Sequence, residues 1–402
     1  MSRVQAPSVA PFLKGQFSIS KFDFLIVGAG LTGLNLAREL KEAQESLHVL
    51  IAEKSKSCGG RMATRRVGDS RYDHGAQFIK NSSGAQKLFE VWRQGNVLNK
   101  FPSDLFEAYC GPSGMTDLAK ALAASLNISY NLKVLKLEKQ SDRWRLSLEE
   151  GESLEAHQVV LTCPLPQSLE ILNQSGISFP AGLATITYQK AVALLLHFDS
   201  ALEPGMNYAE NVDKNIFSIC SQQAKGLAKS PDYTVVMQEA WTNTQFDRAD
   251  DDIATAARTV LSQKFPRQNI LNLQVKKWRY AQPARLWNQF FENPAPGLYL
   301  AGDAFGGASL NGALKSSNSL AEHLKTLLVE AQILELLKRR GAGKTICPSE
   351  VLPESQKQDK ILMESVRAAA RRLAAKGEIA ILQKGIAVDP STAKGPIRLK
   401  LI

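Results

Sequence analysis

The sequence predicts an α/β protein: a parallel sheet extended by an antiparallel meander, an inserted α+β unit, and a small winged-helix-like module at the C-terminus. Three observations predict it. Residues 23–29, DFLIVGA, form a short apolar run ending in glycine, and LTGLNLARELKEA follows with Leu31, Leu34, Leu36 and Leu40 at helical spacing. HVLIAEK then reads as a second strand ending at Glu53, which makes the opening a βαβ unit. Beyond residue 130 strand-like and helix-like stretches alternate, and the composition shifts again after GAGK at 341–344.

Length and composition set the frame. At 402 residues and 44% hydrophobic, the chain can bury the cores of two or three domains. No window approaches the roughly 18 uncharged apolar residues of a membrane span. The N-terminal stretch, interrupted by Pro7, Pro11 and Gly15, lacks the apolar run and cleavage site of a secretory signal, and reads as a flexible arm over 1–20. Five cysteines, Cys58, Cys110, Cys163, Cys220 and Cys347, are scattered and odd in number, which predicts reduced thiols and a cytoplasmic protein. Histidines at 48, 74, 157, 197 and 323 make no pair at metal-ligand spacing, so no metal is expected.

The remaining elements follow in order. KVLKLEK and WRLSLE alternate with period two and are separated by QSD, an antiparallel meander, and HQVVLTCP reads as a buried strand. Between Leu169 and Lys277, strands at AVALLLHF and YTVVMQEAW alternate with a helix over DDIATAARTVLSQKF, the inserted α+β unit. GLYLAGD is another buried strand, entering a glycine-rich turn before a helix near SLAEHLKTLLVEAQILELLKRR. GAGKT at 341–345 imitates the end of a phosphate-binding loop, but that loop needs glycine where this chain has Lys338, and a linker is the better reading. The expected domains are 21–80, 105–168 and 290–340 for nucleotide binding, 81–104 and 169–289 for substrate, and 344–402 for the module.

The formal charge of +10 is unevenly spread. Residues 344–402 hold eleven Lys or Arg against six Asp or Glu, so half the excess sits in the last seventh of the chain. In that module Ser349 is expected to cap the first helix, and Leu362, Val366, Ala370 and Leu373 form an apolar stripe against the hairpin EIAILQKGIAVD. Arg367, Arg371, Arg372 and Lys376 are then left outward, where nucleic acid is the partner their charge would suit and a solvated helix face the commoner fate.

The residues that carry chemistry begin with Gly28, Gly30 and Gly33, a G-x-G-x-x-G between strand and helix. Gly28 allows the turn, Gly30 the approach of a pyrophosphate, and Gly33 close helix packing, while the helix N-terminus offers free N–H groups. Glu53, at the end of the next strand, can accept hydrogen bonds from ribose hydroxyls. GGRMATRR follows with Gly59, Gly60 and Arg61, then YDHGAQFI with Gly75, Ala76 and Gln77, and far downstream GLYLAGDAFGGASLNGAL.

On these motifs the chain resembles the flavin-containing amine oxidase superfamily, and KKWRYAQPARLW makes it similar to that superfamily's renalase-like group; the resemblance covers about residues 22–328. It implies non-covalent FAD. Arg61, with Gly60 and Met62, would meet the pyrophosphate, and Leu31, Thr32 and Lys54 would join the glycines and Glu53. Val134 would contact the adenine, Gly302 and Asp303 the ribityl or phosphate oxygens, and Asn311, Gly312 and Ala313 would open a helix aimed at the ring. It further implies an oxidase that takes a hydride from a dihydro-nicotinamide onto flavin N5 and passes electrons to O2, giving hydrogen peroxide. Trp278, Arg279, Tyr280 and Trp241 are the expected substrate-side residues. Two alternatives stay open: amine oxidation or desaturation, and a flavin-bound regulator whose module binds nucleic acid. SICSQQAKG departs from the more polar stretch expected there and leaves the substrate open. The ending, with ICPSEV, VRAAARRLAAKGEI and QKG, resembles a small uncharacterised bacterial domain.

Overall fold

A computed structural model describes residues 21–103, 106–203, 206–389 and 395–402; the expected N-terminal arm lies outside them. The opening βαβ unit is β1 (Lys21–Val27), α1 (Leu31–Ala43) and β2 (Val49–Ala52). Both strands are buried along most of their length, as strands covered on two faces must be. Next come the hairpin β3 (Thr64–Val67) and β4 (Ser70–Asp73), α2 (Gln86–Gln94), the short pair β5 (Asn99–Lys100) and β6 (Tyr109–Cys110), α3 (Thr116–Ala123) and β7 (Ile128–Ser129). The meander is β8 (Val134–Lys139), β9 (Trp144–Leu148) and β10 (Ser153–Leu161), with α4 (Leu165–Gln174) behind it. β10 serves three partners: its first half pairs antiparallel with β9, its last three residues pair parallel with a later strand, and from Glu155 to Leu161 it runs parallel to β1.

The inserted domain is a five-stranded antiparallel sheet. It contains β11 (Tyr188–Phe198), β12 (Tyr208–Glu210), β13 (Ile216–Ser221) and β14 (Asp232–Met237), then α5 (Glu239–Gln245), α6 (Asp250–Lys264) and β15 (Ile270–Pro283). Val192, Leu194 and Leu196 point to one face, where with Ile253, Ala257 and Leu261 of α6 they form the domain's core. Ala191 and Ala193 alternate to the other face, which is left to line a cavity. The expected strand YTVVMQEAW is shorter than its apolar run: it ends at Met237, and the chain turns into α5, taking Trp241 with it.

The chain then returns to the first sheet through β16 (Glu292–Ala295) and β17 (Leu298–Leu300), giving the order β16-β17-β10-β1-β2-β7. A single turn, α7 (Asp303–Gly306), leads into α8 (Leu310–Arg340), 31 residues long, which opens where Asn311, Gly312 and Ala313 are expected to start a helix and runs on without a break through SLAEHL. No helix among the described residues is both long and apolar enough to cross a membrane.

The C-terminal module consists of β18 (Thr345–Ile346), α9 (Lys360–Ala375), β19 (Ile379–Gln383), β20 (Ile386–Ala387) and β21 (Arg398–Leu401). Lys384 and Gly385 both take positive φ, the requirement of a two-residue hairpin turn. The module's core takes Val366, Ala370 and Leu373 from α9 as expected, but it also takes Ile333 and Leu337 from α8, upstream of the anticipated start at 344. Ser349 caps nothing: Cys347 and Glu350 cap the short turn Pro348–Val351, and the Asp359 side chain caps α9. The outward cations are largely engaged. Glu330 of α8, itself buried, accepts from Arg372 Nε and Lys376 Nζ, both at 2.8 Å, while Arg371 pairs with Glu364 and Arg367 donates to the Gly395 carbonyl. A face so committed offers far less to phosphates than its composition suggests. Glu330→Gln should lower stability by about 1–2 kcal/mol, read from denaturant unfolding, because two charge-assisted bonds to one buried carboxylate weaken together.

Candidate active site

A cavity of about 1520 Å³ lies between the parallel sheet and the open face of the inserted sheet. The part of its wall between β1 and α1 is built by glycine geometry. Gly28 turns with φ +109°, and a Cβ on Gly30 would meet nothing within 4 Å, so the backbone there is open to the cavity. A Cβ on Gly33 would fall 2.1 Å from the Gly28 carbonyl oxygen, so only glycine lets α1 sit on its own turn. The three expected roles of turn, approach and packing are thus divided among three residues. The first turn of α1 has no side-chain cap, and Leu31 and Thr32 line the cavity beside its free N–H groups.

Glu53 is buried at the end of β2 and binds backbone through both oxygens: Oε2 accepts from Ala29 N–H and Oε1 from Ser55 N–H, each at 2.8 Å. Carboxylate oxygens have further lone pairs, which remain for hydroxyls of a ligand. Lys54 borders the same end and donates to Gln167 Oε1 at 3.2 Å; Val134, at the start of β8, lines it too.

The Arg61 loop is fixed from two sides. A Cβ on Gly75 would lie 2.0 Å from the Arg61 carbonyl oxygen, and Ala76 N–H donates to that oxygen at 2.9 Å, so the glycine lets the two segments touch. The Arg61 guanidinium donates to Asp303 Oδ2 at 2.5 Å and to the Ala281 carbonyl at 3.0 Å. Burial works against its charge, yet Asp303 more than offsets this and holds the guanidinium above its ordinary range. Tyr188 completes the cluster by donating to Asp303 Oδ1 at 2.9 Å, and burial, reinforced by Asp303, pushes its phenol up, so it stays a donor. The sequence gives no signal for Tyr188; only the fold brings it to Asp303.

At the start of α8, Ser309 Oγ accepts from Gly312 N–H at 3.1 Å, and Ser309, Leu310 and Ala313 border the cavity. A Cβ on Gly312 would lie 2.0 Å from the Gly307 carbonyl oxygen, so that glycine serves the bend between α7 and α8. Five of the expected cofactor residues shape the cavity without lining it: Gly33 and Gly312 by packing, Met62 from within the core, Gly302 through its N–H bond to Ser316, and Asn311 by donating to the Lys80 carbonyl.

Another part of the cavity wall is aromatic. Trp278 stacks on His74 with centroids 5.3 Å apart, and its indole donates to the His74 carbonyl at 2.7 Å. Tyr280 packs edge-on against Tyr188 at 5.8 Å. Strand alternation separates the expected trio: Trp278 lies opposite Ala191 on the cavity face, while Arg279 borders the cavity but carries its guanidinium over the Phe246 ring, 5.7 Å away. Trp241 packs on the inserted domain's own core and does not line the cavity. His74 lines the cavity wall and was missed as a site residue although it sits inside the quoted YDHGAQ.

A family model described as flavin containing amine oxidoreductase matches residues 97–324, more than half of the chain. The chain belongs to that family. This flavin-containing amine oxidoreductase also matches the NAD(P)-binding Rossmann-like domain over 26–94 and, over 326–402, a family of proteins of unknown function, DUF3253. Mouse renalase is 24% identical over 337 residues, 75% of this chain and 98% of the relative. A probable flavin-containing monoamine oxidase A of Dictyostelium discoideum is 31% identical over 115 residues, 28% of this chain and 24% of that one. In fold the chain is similar to a putative protoporphyrinogen oxidase from Exiguobacterium (TM-score 0.60, 14% identity, 77% of this chain and 99% of that one). It is similar also to putrescine oxidase (TM-score 0.58, 12% identity, 76% and 99%).

The family's cofactor is FAD, and the residues present fit it. An elongated ligand with a pyrophosphate finds open backbone at Gly30, a carboxylate at Glu53, a guanidinium at Arg61 and a helix N-terminus at α8, all on one cavity.

His74 yields a pH test. Burial and the nearby Lys276 and Arg65 push its imidazole down from 6.5 to about 4, with Asp73 opposing them, and its Nδ1 is buried without a partner. The folded value lies below the unfolded one, so as pH falls from 6.5 the unfolded chain is protonated first and stability drops, levelling off near 4. His74→Phe, which keeps an aromatic ring against Trp278, should recover on the order of 2 kcal/mol of that acid-side loss, read from unfolding curves across the window.

Proposed function

We propose that this oxidoreductase is a renalase-like oxidase whose substrate is a dihydro-nicotinamide. The observation that carries the reading is the match to mouse renalase along 98% of that protein, together with the flat Trp278–His74 wall at the substrate end of the cavity. Bound FAD supplies a two-electron acceptor that takes a hydride from the dihydropyridine and returns electrons to O2 as hydrogen peroxide.

The protein's residues then have binding and orienting work. Gly30 and the start of α1 would receive the pyrophosphate, Arg61 would leave part of its contact with Asp303 to neutralise it, and Glu53 would hold a ribose. Tyr188 donates to one oxygen of Asp303, and the lone pairs left on that side chain would suit sugar hydroxyls. Ser309, Leu310 and Ala313 set the positive end of α8 on the cavity, where it would favour negative charge on a bound flavin. Trp278 is fixed at two points, by its stack and its indole bond, and so presents a rigid plane for a planar substrate. A dihydropyridine donates hydride without prior deprotonation, so positioning and exclusion of water are the main demands.

The test is a comparison of donors. Mixed anaerobically with the yellow holoenzyme, positional isomers of dihydro-nicotinamide dinucleotide should bleach the flavin, and readmitted O2 should restore it with one peroxide per turnover. Bleaching by amines alone would replace this reading with amine oxidation. Trp278→Leu should lower kcat/KM for the dihydro-nicotinamide by about 10–100-fold, since it removes the orienting plane and leaves the cofactor's phosphate end intact.

A further inference from the structure

The segment from Asp73 to Gln77 walls the cavity through His74, Gly75, Ala76 and Gln77, yet much of what fixes it comes from the inserted domain. Lys225, on the turn after β13, donates to Asp73 Oδ2 at 2.5 Å and to the Gln77 carbonyl at 2.8 Å. Both charged side chains are fully buried, at 0% exposure each. Gln222, from the same turn and equally buried, accepts from Asp73 N–H at 3.1 Å and donates to Gln77 Oε1 at 3.3 Å. From β14, Thr234 donates to the Asp73 carbonyl at 2.9 Å. The other carboxylate oxygen of Asp73 accepts from Thr64 Oγ1 and Met115 N–H, which belong to the nucleotide-binding half.

Burial works against the Lys225 ammonium, but Asp73, with the buried Cys220 and Cys110 beside it, outweighs this and raises the group above the ordinary lysine range. A buried ion pair is a poor way to gain stability, because apolar side chains of similar volume fill such a space as well or better. What an apolar residue cannot do is donate to the Gln77 carbonyl and orient Asp73 at the same time. The amide of Gln77 is bound in turn, Nε2 donating to the Asp73 carbonyl at 2.6 Å. Each polar atom of the Asp73 main chain and side chain therefore has a partner, and three of those six partners, Gln222, Lys225 and Thr234, come from the inserted domain.

We propose that Lys225 and Gln222 are positioning residues for the flavin reaction: they hold Asp73 and Gln77 so that the 74–77 wall keeps one shape when the inserted domain and the nucleotide-binding domain are docked. The departure at SICSQQAKG noted in the sequence thus acquires a task, since it supplies both residues. The inference rests on the family's cofactor and not on which donor reduces it.

The experiment uses the full-length holoenzyme. In Lys225→Met combined with Asp73→Asn, no buried charge is left alone, and the protein should fold and retain FAD. Its rate constant for anaerobic flavin reduction should nevertheless fall about tenfold or more, with KM moved less, because the wall loses its fixed register. Sulfite affinity and visible circular dichroism of the bound flavin should shift as well. These two need no donor, so they read positioning even if a dihydro-nicotinamide proves not to be the substrate. Glu330→Gln, remote from the cavity, is the control that loses stability without moving either signature. A folded double variant with wild-type sulfite affinity, dichroism and reduction rate would overturn the proposal. Should the double variant not fold, Gln222→Leu, which removes no charge, decides by the same readouts: a shift supports the role and unchanged values overturn it.

Discussion

The site depends on one alignment. Val27, Leu161 and Leu300 stand side by side at the ends of β1, β10 and β17, so three parallel strands release the chain along a single edge. From that edge come the Gly28 turn, Thr162 and Asp303. Thr162 Oγ1 donates toward both the Val27 and Gly28 carbonyls and lies against the place where a Gly33 side chain would start. A one-residue slip in β10 would send Thr162 to the opposite face and free the turn. Crevices at the carboxyl ends of parallel strands are where such sheets bind ligands, and here the register is what joins residue 28 to residue 303.

The parts of this arrangement that could be read from the sequence are those in which residue type is dictated locally. Gly28 and Gly33 announce themselves because a positive-φ turn and a 2.1 Å clash each exclude a side chain, and Gly30 because the motif calls for bare backbone beside the cavity. Gly75 was legible by its motif, and the structure supplies the reason, contact with the Arg61 backbone. Lys225 and Asp73 were not legible as a pair: they lie 152 residues apart, and either alone reads as a solvated charge. Trp241 misled because QEAWTNT contains no glycine or proline to mark the end of β14. Arg279 is a divided case: it borders the cavity as expected, but strand alternation carries its guanidinium over the Phe246 ring.

The module boundary shows how a linker signal can be half right. GAGK does end a helix, with Gly341 at φ +95° in the position that needs glycine. It does not end a packing unit, because Ile333 and Leu337 lie before it and belong to the core that follows. The match to the domain of unknown function accordingly begins at 326, inside α8. Composition could locate the turn but not the hydrophobic surface on its near side.

A helix of 31 residues spans about 46 Å. Its first turn borders the cavity and its last turns are core of the module, so α8 behaves as a stiff spar shared by two machines. The module is thereby set at a fixed distance and bearing from the cavity mouth.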